Sequence, residues 1–341
     1  MQSALHWQRE AGARLEGSRE LDSSKLQAPC IVAVPSGGYR LFYTAVGPAK
    51  PFPACQGYIL SAFSEDGLTF EKDPGIRLAP QPDVPHMSLR LVSPDVARCA
   101  DGRWRMYVEG RGPAGLPTVI VSAVSSDLLH WEFDEGIRLQ TAGGIGGPRY
   151  TPLPDGRGRL YCFESVYGPD GGGRSSMPIV SAVTTDGLRF ELEPGYRMRD
   201  RTAQWNEVGI TAAKVMPPEG DGDRWTMLYS AWQDVPPGTV VPPHPSQDPN
   251  ADPNADFAAA TIACDICGYR SRIMVAFSDD GLAWQHAGCA IDGEGYGGDG
   301  MDAIHAEDLS LIRLDDGRYR MYYAACDNAG AWRVLSAVSG E

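Results

Sequence analysis

Acidic side chains stand beside apolar, strand-like runs at three places in the sequence. Asp95 lies in Ser93-Pro94-Asp95-Val96, Glu207 in Trp205-Asn206-Glu207-Val208, and the pair Glu307 and Asp308 in His305-Ala306-Glu307-Asp308-Leu309. Carboxyl groups that share a pocket can divide the roles of proton donor and proton acceptor when their surroundings push their pKa values apart. Breaking a glycosidic bond needs such a pair across the bond. Side chains able to stack on a sugar or to hold hydroxyls and anions occur in the same stretches or near them: Trp205, His86, Arg90, Arg149 and His305. The plainer reading of any single acid here is a turn cap, as for an Asp that follows Pro at a strand start; three placements of one kind weigh against it for the set. Other constellations are weaker. Cys264 and Cys267 have the spacing of a zinc knuckle, but no second pair follows, and unpaired or structural thiols are the expectation. Nucleophile-elbow, P-loop and dinucleotide signatures do not occur.

Charge narrows the partners. The 341 residues carry 44 acidic against 30 basic side chains, a net charge of −14, which argues against nucleic acid or an anionic membrane face and leaves a small molecule or oligosaccharide as the expected partner. Oligomeric state is not legible. Met1–Trp7 shows no basic flank before an apolar core, and no run of about 18 apolar residues is present, so a cytoplasmic protein is expected. Cys30, Cys99, Cys162 and Cys326 lie inside apolar strand-like runs, where reduced, buried thiols are expected.

The elements that must position the acids follow from a repeat. Four segments match: Ser64–Phe70 (SEDGLTF), Ser125–Trp131 (SSDLLHW), Thr184–Phe190 (TTDGLRF) and Ser278–Trp284 (SDDGLAW). Each follows an alternating apolar strand and reads as a hairpin turn, the Gly supplying positive φ and the Asp a side-chain cap. An aromatic-rich strand precedes each copy, and a fifth such strand, Tyr319–Tyr323, is followed by one more strand before the chain stops. The missing last strand sits at the other terminus, where Leu5–Leu15 matches Leu129–Leu139 in length and pattern.

Four complete units and one divided unit predict an all-β fold: a five-bladed β-propeller, its ring closed by the N-terminal strand completing the C-terminal blade. A β-sandwich would not explain the permuted ends. The expected organisation is one domain over 1–341, with blades near 26–78, 91–139, 148–198, 207–291 and 305–341 plus 5–15, and a lid-like insertion at 233–269. Inner strands are expected near 28–34, 95–98, 149–153, 208–215 and 308–314, with the acids at their starts and the Asp-Gly turns on the far face.

Pro94-Asp95-Val96 followed by Asp101–Tyr107 (DGRWRMY), together with the Ser-x-Asp-Gly-Leu-x-Trp hairpins, resembles the five-bladed glycoside hydrolases, the clan of the arabinanase/xylosidase, invertase-like and mannoside-phosphorylase families. The resemblance extends over nearly the whole chain as blade architecture. It implies Glu207 as general acid and Asp95 as the carboxylate that orients substrate or tunes that acid. It also makes His305 the axial histidine that in some members supports a central metal ion or water; a metal near His305 rests on that resemblance alone.

The chain departs from the clan at the first blade, where Gln27-Ala28-Pro29-Cys30 offers no carboxylate, and at the third, where Pro148-Arg149-Tyr150 stands. Asp308, Glu307 or Asp22 would have to serve as the base. Three readings stay open at this stage: a glycoside hydrolase, a glycoside phosphorylase in which phosphate replaces the missing base, and a non-hydrolytic propeller that binds carbohydrate or turns its acid–base chemistry on another small molecule.

Overall fold

The structure, a computed structural model, describes residues 6–23, 25–47, 56–113, 115–167, 174–200, 207–220, 224–234, 238–239 and 269–340. Apart from the short 3-10 turns Glu20–Asp22 and Pro85–Met87, the elements among the described residues are β-strands. None of these residues form a helix long and apolar enough to cross a membrane.

The strands pair in chain order as antiparallel meanders. The first runs through Lys25–Ala33, Tyr39–Val46, Gly57–Ser64 and Glu71–Lys72. The second runs through Arg90–Arg98, Trp104–Arg111, Val119–Ser125 and Glu132–Phe133. In the third, Ile145–Pro152 leads to Gly158–Glu164, Ile179–Thr184 and Glu191–Leu192. The fourth contains Glu207–Met216, Trp225–Asp234, Tyr269–Ser278 and Gln285–Ile291. The fifth, His305–Arg313, Tyr319–Cys326 and Trp332–Ser339, takes its outer strand from the other end of the chain, since Trp7–Arg9 and Leu15–Glu16 pair with Trp332–Ser339.

Side chains repeat as the strands do. Asp73, Asp134 and Glu193 each accept a 2.6 Å hydrogen bond from a serine of the same meander (Ser61, Ser122, Ser181) and pair with an arginine (Arg40, Arg105, Arg159). In the fifth meander Glu10 from the N-terminal segment does the same for Ser336 and Arg320. The N terminus therefore supplies an ion pair as well as a strand.

Apolar layers lie between successive meanders. Phe42 and Ile59 meet Leu91 and Met106; Tyr107 and Ile120 meet Leu160 and Val180; Tyr161 and Ile179 meet Ile210 and Met227; Leu228 and Ile273 meet Leu309 and Met321. A further layer joins Leu15, Tyr322 and Val334 to Leu26 and Leu41, the fifth meander to the first.

Each repeat turn caps itself: Asp66 Oδ1 accepts the Leu68 and Thr69 N–H groups, and Asp127, Asp186 and Asp280 repeat the pattern. Those two backbone bonds hold the exposed Asp66 carboxyl down to about 2. The turn glycine also meets the preceding meander, because Tyr322, Tyr107 and Tyr161 donate their hydroxyls to the carbonyls of Gly67, Gly187 and Gly281. A Cβ on Gly67 would come within 2.8 Å of Tyr322 Oη, so glycine is needed for close approach as well as for its φ of +73°. In the second meander the facing residue is Phe42, which lacks the hydroxyl, and the turn tolerates Leu128 at φ +66°. The left-handed conformation costs about 1–2 kcal/mol, which burial of the Leu128 side chain offsets.

Inner strands begin earlier than the sequence suggested: at Lys25, Arg90, Ile145, Glu207 and His305. A bulge interrupts the alternation of each strand, and in the first three Pro29, Pro94 and Pro148 follow it where no ladder N–H is required. Cys30, Cys162 and Cys326 are buried, whereas Cys99, just beyond an inner strand, is only half-buried.

Removing residues 1–16 takes away the outer strand, Glu10 and the buried Leu15 together. The truncated chain is expected to lose its cooperative thermal unfolding transition by circular dichroism; an unchanged Tm would show that the N-terminal pairing contributes nothing to the fold.

Candidate functional site at the head of the inner strands

Antiparallel pairing brings the starts of the inner strands and the ends of the second strands to one end of every meander, while the Asp-Gly turns occupy the other. Just below that head each inner strand has one residue in the left-handed region: Ala28, Ser93, Gly147, Ala212 and Asp308, at φ between 50° and 58°. A bulge turns its side chain out of the strand's alternation. Among these five only Asp308 is ionisable, and Asp tolerates this region better than most residues.

The bulge N–H groups are held by the neighbouring meander. Ser93 donates to Thr44 Oγ1 at 2.8 Å, Asp308 to Ser230 Oγ at 2.8 Å, and Gly147 to Glu109 Oε2 at 3.0 Å. Thr44, Glu109 and Ser230 occupy the same position of the second strand in three meanders, so Glu109 is an acid standing where its counterparts are hydroxyls.

Asp308 is only half-buried by exposure, yet protein surrounds its carboxyl. Burial first, and then the nearby Glu307, push it up to about 7; Glu109 adds to the rise, while Arg149 and Lys25 oppose it. A carboxyl at that value is partly protonated at neutral pH and can give or take a proton.

Glu307 is 3% exposed, with Oε2 3.9 Å from His305 Nδ1. The same ring nitrogen lies 2.9 Å from Ser271 Oγ, and the ring stacks on Trp332 at 5.4 Å between centroids. Lys25 Nζ sits 3.9 Å from the Trp332 ring centroid, a cation–π contact. Arg149 is fully buried; its Nη1 donates to the Pro148 carbonyl at 2.9 Å, and Nε and Nη2 have no hydrogen-bond partner among the described residues. Asp308, Glu307, Glu109, Lys25, Arg149 and His305 thus form one mixed-charge cluster drawn from four meanders.

The sequence named Asp308, Glu307, His305 and Arg149 but missed Lys25 and Glu109. A signal for Glu109 existed: a lone acid inside the apolar strand Trp104–Arg111, with glycines across from it. A Cβ on Gly146 would collide with the Glu109 carboxylate, and Arg111 Nε pairs with Oε1 at 2.6 Å.

The remaining expectations fall elsewhere. The three acids do not share one strand-start position: Glu207 begins its strand, Asp308 is a bulge residue, and Asp95 lies two residues beyond a bulge. Asp95 accepts Lys214 Nζ at 3.0 and 3.2 Å and the Tyr150 N–H at 2.7 Å, and Cys30 Sγ is 3.9 Å away. It belongs to a tier below the cluster in which inner strands bind one another; Cys30 accepts the Val96 N–H and Ser310 the Ile31 N–H in the same manner.

The Glu207 backbone pairs with Gln233 at the head of the fourth meander. Trp205, most of the 233–269 insertion, and the pair Cys264 and Cys267 lie outside the described residues. Arg90 is buried at its strand start, and His86 sits in the 3-10 turn Pro85–Met87. Asp22 is fully employed in structure: it binds Ser18 N, Arg19 N, Tyr43 Oη and Lys72. Although burial opposes it, the Lys72 bond and the two backbone bonds hold its carboxyl below the usual range. No group of three or more metal-ligating side chains comes together among the described residues. A hydroxyl, an indole and one carboxylate around His305 are a poor donor set for a metal, and no step below uses one.

No protein-family model matches the sequence, and no curated protein matches it. Solved structures match its fold over nearly the whole chain. One described as a glycoside hydrolase aligns at TM-score 0.68 and 13% identity, covering 98% of this chain and 93% of that chain. β-1,2-Mannobiose phosphorylase from Listeria innocua, in complex with β-1,2-mannobiose, aligns at TM-score 0.68 and 12% identity, covering 97% and 96%. A thermostable family-43 glycoside hydrolase aligns at TM-score 0.59 and 14% identity, covering 91% and 88%. The all-β fold of this chain is similar to that of these glycoside hydrolase and phosphorylase structures. At this identity the likeness extends to architecture, and the chemistry has to be argued from the site.

The high Asp308 pKa makes a stability prediction. The folded value, about 7, exceeds the unfolded value of about 3.9. The native state then binds more protons between those values, and stability falls as pH rises from about 4 to 7. Asp308→Asn removes this dependence, so urea unfolding should show the variant gaining on the parent protein between pH 5 and pH 8, by about 3 kcal/mol at most. A difference that is the same at both pH values would contradict the assignment.

Proposed function

We propose that the chain is a glycoside-acting enzyme whose reaction takes place in the cluster at the head of the inner strands. In this reading the meanders are the blades of a single-domain, five-bladed propeller closed by the N-terminal strand, and the cluster stands on its axis. One observation carries the proposal: Asp308, turned out of its strand by the bulge, holds a proton-exchangeable carboxyl near neutrality beside Glu307, Glu109, Lys25 and Arg149.

Asp308 is the base. The sequence left Glu307 as an equal choice, but Glu307 is more deeply buried than Asp308 and lies near His305. Glu207, at the head of the fourth inner strand, is the acid, and Trp205 two residues before it the sugar-stacking aromatic. Arg90 and His86 are binding residues at the head of the second meander. Asp95 acts at one remove: bound to Lys214 and the Tyr150 N–H, it ties its own strand to the third inner strand, which carries Arg149, and to the fourth, which begins with Glu207.

Phosphorolysis is the second reading, favoured by one feature. Lys25 and Arg149 put two cations beside Asp308, while the first blade offers Gln27 and Cys30 where a base would stand. Cations held near a carboxyl group that can be protonated suit an incoming phosphate.

A panel of disaccharides and aryl glycosides, incubated with and without inorganic phosphate, separates the readings by whether a free sugar or a sugar phosphate forms. On the active substrate, Glu207→Gln should cut turnover by about 10²–10⁴-fold for an ordinary glycoside and much less for an aryl glycoside with a good leaving group. An equal, small loss on both would remove Glu207 as the acid.

A further inference from the structure

A cavity of ≈ 590 Å³ opens at the turn end of the molecule, between the second and third meanders. It exists because the repeat fails there. At the start of the second strand the other meanders have Tyr39, Trp104, Trp225 and Tyr319; the third has Gly158. Two of those rings cover the turn of their own meander: a Cβ on Gly67 would meet Tyr39, and one on Gly281 would meet Trp225. Without a ring at position 158, the turn Thr185–Gly187 lines an open space.

Part of that space is taken by Tyr150, which stands where other inner strands have Ile31, Val96, Val215 and Leu311. A side chain at Gly158 would collide with the Tyr150 hydroxyl, so the two departures belong together. The Tyr150 ring stacks on Tyr107 at 5.4 Å and 15°, giving the cavity an aromatic wall.

The charged lining is one-sided. Arg98, Arg105, Arg157 and Lys214 face Asp186 alone, and the Asp186 carboxylate is used by the Leu188 and Arg189 N–H groups. Arg105, Arg157 and Lys214 have carboxylate partners in Asp134, Asp155 and Asp95. Arg98 has no carboxylate partner among the described residues; its guanidinium lies 4.5 Å from the Trp104 ring centroid, which fixes it in place. In a chain of net charge −14, such a basic recess has to be built locally.

We propose that this cavity is a second ligand site, separate from the axial cluster, for a small aromatic acid whose ring lies in the open space between the Tyr150 side chain and the turn Thr185–Gly187 and whose carboxylate meets Arg98. The volume suits a one- or two-ring molecule, and the Tyr107–Tyr150 wall suits a flat one. Cys99, half-buried in the lining, reports on occupancy. Burial raises its thiol pKa, so labelling is best followed at mildly alkaline pH.

The test is the rate of alkylation of Cys99, read by peptide mass spectrometry on the full chain, with 4-hydroxybenzoate as probe, phenol supplying the ring without the charge and inorganic phosphate the charge without the ring. 4-Hydroxybenzoate should slow labelling at least about threefold, and neither control should match it. Arg98→Gln should abolish the protection. So should Gly158→Trp combined with Tyr150→Val, which gives the third meander the pair found in the second. Equal protection by phosphate or by phenol, protection that survives Arg98→Gln, or no protection by 4-hydroxybenzoate would each overturn the proposal. Should the double variant fail to fold, Arg98→Gln decides.

Discussion

Every inner strand passes one residue through the left-handed region at the same level, and the active-site proposal depends on that constraint. The bulge lets a strand stay in register with its second strand while turning one side chain out of the alternation. Its N–H is lost to the ladder and has to be satisfied elsewhere, which is what Thr44, Glu109 and Ser230 do from the neighbouring meander. A local backbone need is thus converted into contacts between meanders. Four of the five positions are filled by the small residues Ala, Ser or Gly, of which only Gly escapes the left-handed strain. The fifth is filled by an acid. A residue with backbone strain and a carboxyl placed against Glu307 serves stability poorly, and this combination is typical of functional sites.

The two ends of the molecule use the repeat differently. At the turn end, symmetry is nearly kept: the Asp caps, the tyrosine-to-carbonyl bonds and the serine–arginine–acid triplets recur with the same partners, and Glu10 carries the last triplet across from the N terminus. Where a partner changes, its neighbour changes too, as Leu128 does opposite Phe42 and Gly158 beside Tyr150. At the head, symmetry is abandoned. Lys25, Arg149, Glu109 and Asp308 come from four different meanders, and no two of them occupy the same repeat position with the same chemistry. Repetition supplies the rigid frame, and its departures supply the chemistry.

The sequence made the frame legible because each hairpin turn has its own local physics: a capping Asp, a Gly with positive φ, and alternating strands on either side. The match between Leu5–Leu15 and Leu129–Leu139 even located the outer strand of the fifth meander. The site was less legible. Proline after the first three bulges reads as a strand start, and in sequence Asp95 and Asp308 both stand beside apolar strand-like runs, although one lies in the tier that joins inner strands and the other at the bulge. Lys25 and Glu109 escaped notice because their roles arise from contacts between meanders distant in sequence. Glu109 in particular reaches the cluster through the space left by Gly146, which only the packed fold brings opposite it.

The bulge and its surroundings leave Asp308 with a proton to exchange near neutral pH. Difference infrared spectroscopy of the carboxyl stretch across a pH titration, comparing the unmodified protein with Asp308→Asn, tests it most directly. A protonated-carboxyl band is expected that disappears with a midpoint near pH 7 and is missing from the variant. A band lost between about pH 3 and 5, in the range of an ordinary aspartate, would contradict it.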